Sequence, residues 1–160
     1  MKIEIVPAYN RTDEIRTLFK EYTDLLSEGD AEFRRYLEIQ HYDDEFQHPE
    51  VKYGFPYGRL YLALCDGNTA GCVALRKIDH SSCEIKRLYV RKDYRGHGIG
   101  NQLTDKLIQE ARQIGYRQIL LDTFPFLERA IRMYQVRGFQ EIEKYNDSPM
   151  ESTIYMKLEL

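Results

Sequence analysis

No stretch of this chain is long and apolar enough to cross a bilayer. The longest uninterrupted apolar run, Leu60 to Cys65, holds six residues, against the roughly 20 that a membrane helix needs. The opening Met1-Lys2-Ile3-Glu4 lacks the charged-then-apolar pattern of a secretory leader, so a cytoplasmic location is expected. Basic excess is missing too: 23 Lys and Arg stand against 26 Asp and Glu, and no basic stripe interrupts them. A nucleic-acid binder needs such a stripe to neutralise phosphates. Neither nucleic acid nor membrane is therefore expected as a partner. Cysteines are few, and Cys65, Cys72 and Cys83 lack metal-ligand spacing. All three lie in strand-like sequence and read as small buried hydrophobes in a reducing compartment. His41, His48 and His80 fall in loop-like sequence without ligand spacing, so no metal site is expected. Repeats and low-complexity linkers are absent. The 160 residues suffice for one domain with a sizeable core and are too few for two full ones, so residues 1–160 are read as a single domain.

What is present reads as alternating strand and helix. Ile3 and Ile5 suggest a short first strand stopped at Pro7. Asn10 to Asp13 supplies helix-start chemistry, and Ile15, Leu18, Phe19, Tyr22, Leu25 and Leu26 recur at helical spacing up to Gly29. Phe33, Tyr36, Leu37 and Ile39 form a second helical pattern. From His41 to Tyr57 no period is clear, and Pro49, Gly54 and Pro56 mark a loop or a broken helix. Three strands follow in close order: Leu60 to Cys65, Thr69 to Ile78 and Cys83 to Val90. The turn Asp66-Gly67-Asn68 suits a hairpin, so this meander should be antiparallel. Gly98 to Ile114 then reads as an amphipathic helix capped by Gly115. Ile119-Leu120-Leu121 is a short buried-type strand and Leu127 to Val136 another helix ended by Gly138. Phe139 to Glu143 and Thr153 to Leu158 finish as strands. The pattern predicts an α+β fold: a mixed, largely antiparallel sheet with helices on both faces.

The informative segment is a strand, a glycine-rich turn and a helix start, Arg95-Gly96-His97-Gly98-Ile99-Gly100. A helix begins with backbone N–H groups that lack internal partners, and its dipole favours an anion there. Glycines remove the side chains that would keep phosphate oxygens off that backbone. No Ser, Thr, Asp or Asn stands at the cap positions around Gly96 to Gly98, which leaves the donors free for a ligand. A nucleotide P-loop needs Gly-Lys-Ser/Thr, and here Asn101-Gln102 follows Gly100. A dinucleotide loop needs G-x-G-x-x-G, and here the spacing is G-x-G-x-G. Both standard nucleotide loops fit poorly.

Arg95 to Gly100 instead resembles the (Arg/Gln)-x-x-Gly-x-(Gly/Ala) pyrophosphate signature of the GNAT superfamily of acetyl-CoA-dependent N-acyltransferases. Ala130-Ile131-Arg132-Met133-Tyr134-Gln135-Val136-Arg137-Gly138-Phe139 resembles that family's later Ala…Leu-Tyr…Gly-Phe block. The two blocks stand in the right order and cover residues 83 to 143. The resemblance implies an α/β/α sandwich whose sheet splays between the strand at 83–90 and the strand at 117–122 to hold the cofactor. It implies that acetyl-CoA is the acyl donor, with no metal. Backbone groups of Leu88, Tyr89 and Val90 would bind the pantetheine arm. The N–H groups of Arg95, Gly96, His97, Gly98, Ile99, Gly100 and Asn101 would hold the pyrophosphate. Many members carry an Asn three residues before the Ala of the later block; here that position is Leu127, which removes one cofactor contact.

Aminolysis of a thioester needs a neutral amine, donors for the oxyanion and a proton for the departing thiolate. Tyr134 matches the family tyrosine beside the cofactor sulfur and is the candidate proton donor; the bland alternative is a core tyrosine with its hydroxyl at the surface. Glu84 is the candidate base. Strand alternation would put Glu84, Lys86, Leu88 and Val90 on one face, and a salt bridge from Glu84 to Lys86 or Arg87 is the competing reading. His97, at a variable loop position, is expected to be exposed. Residues 28 to 50 are rich in Asp and Glu, Asp43 and Asp44 among them, with interleaved aromatics. Such a wall would suit a cationic amine, and a solvated acidic surface is the plainer reading. The expected reaction is acetyl transfer from acetyl-CoA to a small primary amine or amino-acid-like metabolite by direct attack in a ternary complex. The alternatives are acetylation of a protein N-terminus or lysine, and a non-catalytic acyl-CoA sensor. Relatives are often homodimers.

Overall fold

A computed structural model describes residues Met1 to Leu160. The elements run β1 (Ile3–Pro7), α1 (Thr12–Gly29), α2 (Phe33–Ile39), α3 (Tyr42–Gln47), α4 (Pro49–Lys52), β2 (Arg59–Cys65), β3 (Asn68–Lys77) and β4 (Ser82–Val90). A 3₁₀ turn at Lys92–Tyr94 leads to α5 (Ile99–Ile114), β5 (Gln118–Thr123), α6 (Glu128–Val136), β6 (Gln140–Ile142) and β7 (Ile154–Glu159). The stretch without a clear period is a broken helix, α3 and α4, divided ahead of Pro49.

All seven strands join one sheet in the order β1-β2-β3-β4-β5-β7-β6. Every pairing is antiparallel except β4 with β5. At the β2–β3 hairpin, Asp66 and Gly67 take φ of 50° and 83°, the positive values that a two-residue turn matching the strand twist requires.

The central strands are buried on both faces, and side-chain alternation sorts them into two cores. From β2, Tyr61, Ala63 and Cys65 face α5, where Ile99, Leu103, Leu107 and Ala111 lie at helical spacing; α6 covers the same face through Tyr134. Leu60, Leu62 and Leu64 point the other way, against Ile15, Leu18 and Phe19 of α1. A third cluster joins the end of α1 and α2 to Phe124 and Met150.

Two irregularities in β4 shape the functional region. The first is a bulge. Cys72 pairs with Tyr89 and Ala74 with Lys86, so Val73 alone spans both Arg87 and Leu88, and Arg87 has φ of 60°. The alternation expected through this strand therefore fails. Ile85, Leu88 and Val90 pack toward α5, whereas Lys86 and Arg87 both turn to Gln40 beneath α2 and α3. Glu84 and Lys86 thus do not share a face with Leu88 and Val90. Just beyond the bulge, a Cβ at Gly71 would lie 2.6 Å from the Tyr89 carbonyl oxygen, so β3 carries glycine where the strands press together.

The second irregularity is a divergence. β4 pairs with β5 only at Ser82–Gln118, Cys83–Ile119 and Glu84–Leu120. β4 then runs on to Val90 and β5 to Thr123 without further pairing between them, which opens the expected cleft in the middle of the sheet. The whole is the α/β/α arrangement, with a mostly antiparallel sheet between two helical layers.

Candidate active site

The glycine loop closes one end of the cleft. Gly96 and Gly98 have φ of 84° and 78°, and a Cβ on either would meet nothing within 4 Å. Both positions therefore face open space in a conformation that side chains disfavour. Gly98 is the N-cap of α5 and no side chain caps the helix, so the first N–H groups have no partner of their own. Gly100 differs: a Cβ there would sit 3.7 Å from Met133 Sδ and 3.9 Å from Val90 Cγ2, ordinary contact that an alanine could occupy. Ile99, buried directly after the open positions, fixes the helix to the sheet. Arg95 Nε donates to the Val90 carbonyl at 2.9 Å and ties the loop to the end of β4. His97 is exposed, as expected. An uncapped helix start with a bare glycine surface fits a diphosphate.

Deeper in the cleft is a small cavity between the diverging strands. Leu88 of β4, Asp122 of β5, Tyr36 of α2 and Tyr134 of α6 all line it. Tyr134 is buried, with its ring 5.4 Å from that of Phe139. Burial pushes its phenol above the ordinary value, and the charge of Asp122 adds to the shift. It is protonated at neutral pH. A departing thiolate has an intrinsic value of about 8.5 by analogy with cysteine. A phenol of this kind can stabilise such a thiolate by donating a hydrogen bond more readily than by giving up the proton.

Glu84 is placed differently from Tyr134. It is 1% exposed; Arg76 Nε donates to Oε1 at 2.6 Å and the Tyr145 hydroxyl donates to Oε2. Burial works to raise its pKa, but the charges of Lys86 and Arg76 and the Tyr145 hydrogen bond outweigh it and hold the carboxyl below its usual range. A salt bridge was the competing expectation, and the partner is Arg76 of the neighbouring strand in place of Lys86 or Arg87.

The carboxylate that lines the cavity is Asp122, which sequence reasoning missed. The Tyr36 hydroxyl and Asn146 Nδ2 both donate to its Oδ2, the amide at 2.8 Å, leaving Oδ1 for a ligand. Asn146 Nδ2 also lies 2.8 Å from the Tyr36 oxygen, and its Oδ1 accepts from Tyr155 at 3.0 Å. The members come from α2, β5, the 143–153 turn and β7, and no local spacing links them.

The acidic stretch does not form a wall around the cavity. Asp43 and Asp44 are exposed on α3. Glu45 of that helix is buried and accepts from Arg87 Nε and Nη2 at 2.7 and 3.0 Å, with Lys52 Nζ on its Oε1 at 2.6 Å. Burial would raise the Glu45 carboxyl, but Arg87 and Lys52 pull it down to about 2. Aromatic residues of the stretch do reach the cavity, through Phe33 and Tyr36.

Residues 15–139 match the Acetyltransferase (GNAT) family. An uncharacterized N-acetyltransferase of Schizosaccharomyces pombe is 37% identical over 150 residues, which cover 92% of this chain and 88% of the relative. A GNAT acetyltransferase from Staphylococcus aureus superposes with a TM-score of 0.77 over 99% of both chains at 21% identity. A GNAT acetyltransferase from Elizabethkingia anophelis, solved with acetyl-CoA bound, covers 64% of this chain and 76% of its own with a TM-score of 0.56 and 26% identity. The chain belongs to the GNAT family and is an acyltransferase. No helix of it is long and apolar enough to cross a membrane.

Proposed function

We propose that the 160 residues act as one N-acetyltransferase domain that moves the acetyl group of acetyl-CoA to the primary amine of a small acceptor. The observation that carries this reading is the uncapped, glycine-lined start of α5 just beyond the end of β4, the same strand that walls, with β5, the cavity lined by Tyr134 and Asp122. The N–H groups of residues 96–101 hold the pyrophosphate, that of Arg95 being taken by the Lys92 carbonyl at 3.3 Å, and the backbone of Leu88, Tyr89 and Val90 borders the pantetheine arm. Acetyl-CoA supplies the activated acyl carbon. Asp122 Oδ1 orients the amine and accepts its proton, while Tyr36 and Asn146 keep the carboxylate in place. Tyr134 donates a hydrogen bond to the leaving sulfur. Glu84, sealed by Arg76 and Tyr145, acts through its charge and fixes β4 against β3. Cover by α1 and α2, through Tyr22, Leu26, Phe33 and Tyr36, favours a compact acceptor over a peptide. Three free buried cysteines suit a reducing, cytoplasmic setting.

The test is release of the CoA thiol from acetyl-CoA across a panel of small amines, with mass detection of the acetylated product. Turnover of at least one amine, abolished when acetyl-CoA is replaced by CoA, is expected. Tight acetyl-CoA binding with no turnover of any amine, peptide N-termini included, would make the protein an acyl-CoA sensor.

A further inference from the structure

Two cations, Lys86 and Arg87, and one carboxylate, Asp122, line the acceptor cavity. Arg87 is matched by Glu45, which it shares with Lys52, and Arg76 is matched by Glu84. Asp122 is the remaining carboxylate. Lys86, 7% exposed, is the cation of the two that has no carboxylate within ion-pair distance. Its ammonium rests on Gln40 Oε1 at 2.6 Å and lies 5.8 Å from the Tyr36 ring centre, with no ion pair. Glu84 feels the Lys86 charge through space without forming an ion pair, so the direct contacts of Lys86 are a neutral amide and a ring, and the ammonium keeps donors for a further anion.

Gln40 points the same way. Its Oε1 accepts from both Lys86 and Arg87 Nη2, at 2.6 and 3.0 Å. Two cationic donors on one oxygen fix the orientation of the amide, so the other atom is Nε2, a donor. That Nε2 is buried and has no hydrogen-bond partner, while Gln40 itself lines the cavity. A buried amide donor without an acceptor is destabilising, and a ligand acceptor there would satisfy it. An ammonium and an amide N–H thus stand short of acceptors at one end of the cavity. The free oxygen of Asp122, an acceptor for an amine, lies on the β5 side.

We infer that the acceptor carries a carboxylate next to its amine, and that Lys86 and Gln40 are the residues that read it. The acceptor is a small amino acid: its carboxylate sits against Lys86 Nζ and Gln40 Nε2, and its amine faces Asp122. This inference rests on the reading of the cavity as the acceptor site. It reverses the polarity that the acidic stretch at 28–50 suggests, because that stretch spends its one buried carboxylate on Arg87.

The experiment compares free amino acids with their carboxamides, which keep the amine and the side chain and lose the anion. Carboxamides also carry a less basic amine, so the comparison is made in KM and in equilibrium binding to the CoA-loaded protein. For the best acceptor the acid should be favoured over its amide by about 10- to 100-fold, the range of one charge-assisted contact. In Lys86→Gln that preference should collapse toward unity while affinity for acetyl-CoA, a readout of correct folding, is kept. If Lys86→Gln does not fold, the preference in the native protein decides alone. Amides bound and used as well as acids, carboxylate-free amines accepted while no amino acid binds, or an acid preference that survives in folded Lys86→Gln would each overturn the inference. Acid-selective binding without acetyl transfer would support the carboxylate site and refute the transferase reading.

Discussion

At the scale of single residues, chemistry and packing separate cleanly. Tyr134 faces the cavity and holds no structural ion pair, so Tyr134→Phe should leave CoA affinity nearly intact and lower turnover by roughly 10²–10³, the loss expected for one preorganised donor. Unchanged turnover would remove Tyr134 from the mechanism. Glu45 is the opposite case, a buried group whose charge holds the structure together. Its pKa is depressed to about 2 from an ordinary 4.5 in the unfolded chain. The stabilisation is present above pH 4.5 and is lost as the pH falls through 2. Thermal melts between pH 5 and pH 2 should show a steep fall in the native protein and a shallower one in Glu45→Gln, which is less stable at pH 7 because Arg87 is left buried without a counter-charge. A residue's place was legible in the sequence where a family block carried it, as with Tyr134, which lines the cavity. Asp122 was not legible, since Tyr36 and Asn146 lie 86 and 24 residues from it in the chain and meet it only in the fold. Glu84 shows an intermediate case: its strand position could be read, but Arg76 and Tyr145, which occupy its oxygens, could not.

At the scale of elements, the helix start at Gly98 and the bulge in β4 matter most. Gly98 combines a positive φ with open space beside it, so Gly98→Val adds backbone strain of about 1–3 kcal/mol and puts a branched side chain over the α5 N-terminus. Folded Gly98→Val protein should bind CoA far more weakly by calorimetry, whereas Gly100→Ala, which makes only ordinary contacts, should bind normally. Equal binding by the two variants would mean that the phosphates sit elsewhere. The glycine loop could be read from sequence because glycine spacing carries its geometry directly. Period-2 alternation holds in β2, whose side chains divide between the two cores, and fails in β4, where it was expected, because Arg87 in the left-handed region inserts one residue and turns its own side chain inward. Arg87 is neither Gly, Asn nor Asp, so no local preference announced the bulge; the buried pair with Glu45 holds it there.

At the scale of the molecule, the sheet order follows from the succession of elements. A hairpin meander, then a helical crossover from β4 to β5, gives antiparallel neighbours and one parallel pair. The cleft arises where that parallel pair stops, and β7 takes up the far edge of β5. The broken helix at 42–52 anchors the inner layer through Glu45 and leaves the cavity walled by α1 and α2. The central claim is that this cleft takes acetyl-CoA by its pyrophosphate and its pantetheine arm. The most direct test is a thermal-shift titration of the purified protein with acetyl-CoA, CoA and ATP. The account predicts stabilisation that grows with acetyl-CoA and with CoA and is absent with ATP; no shift with either CoA species, or an equal shift with ATP, would contradict it.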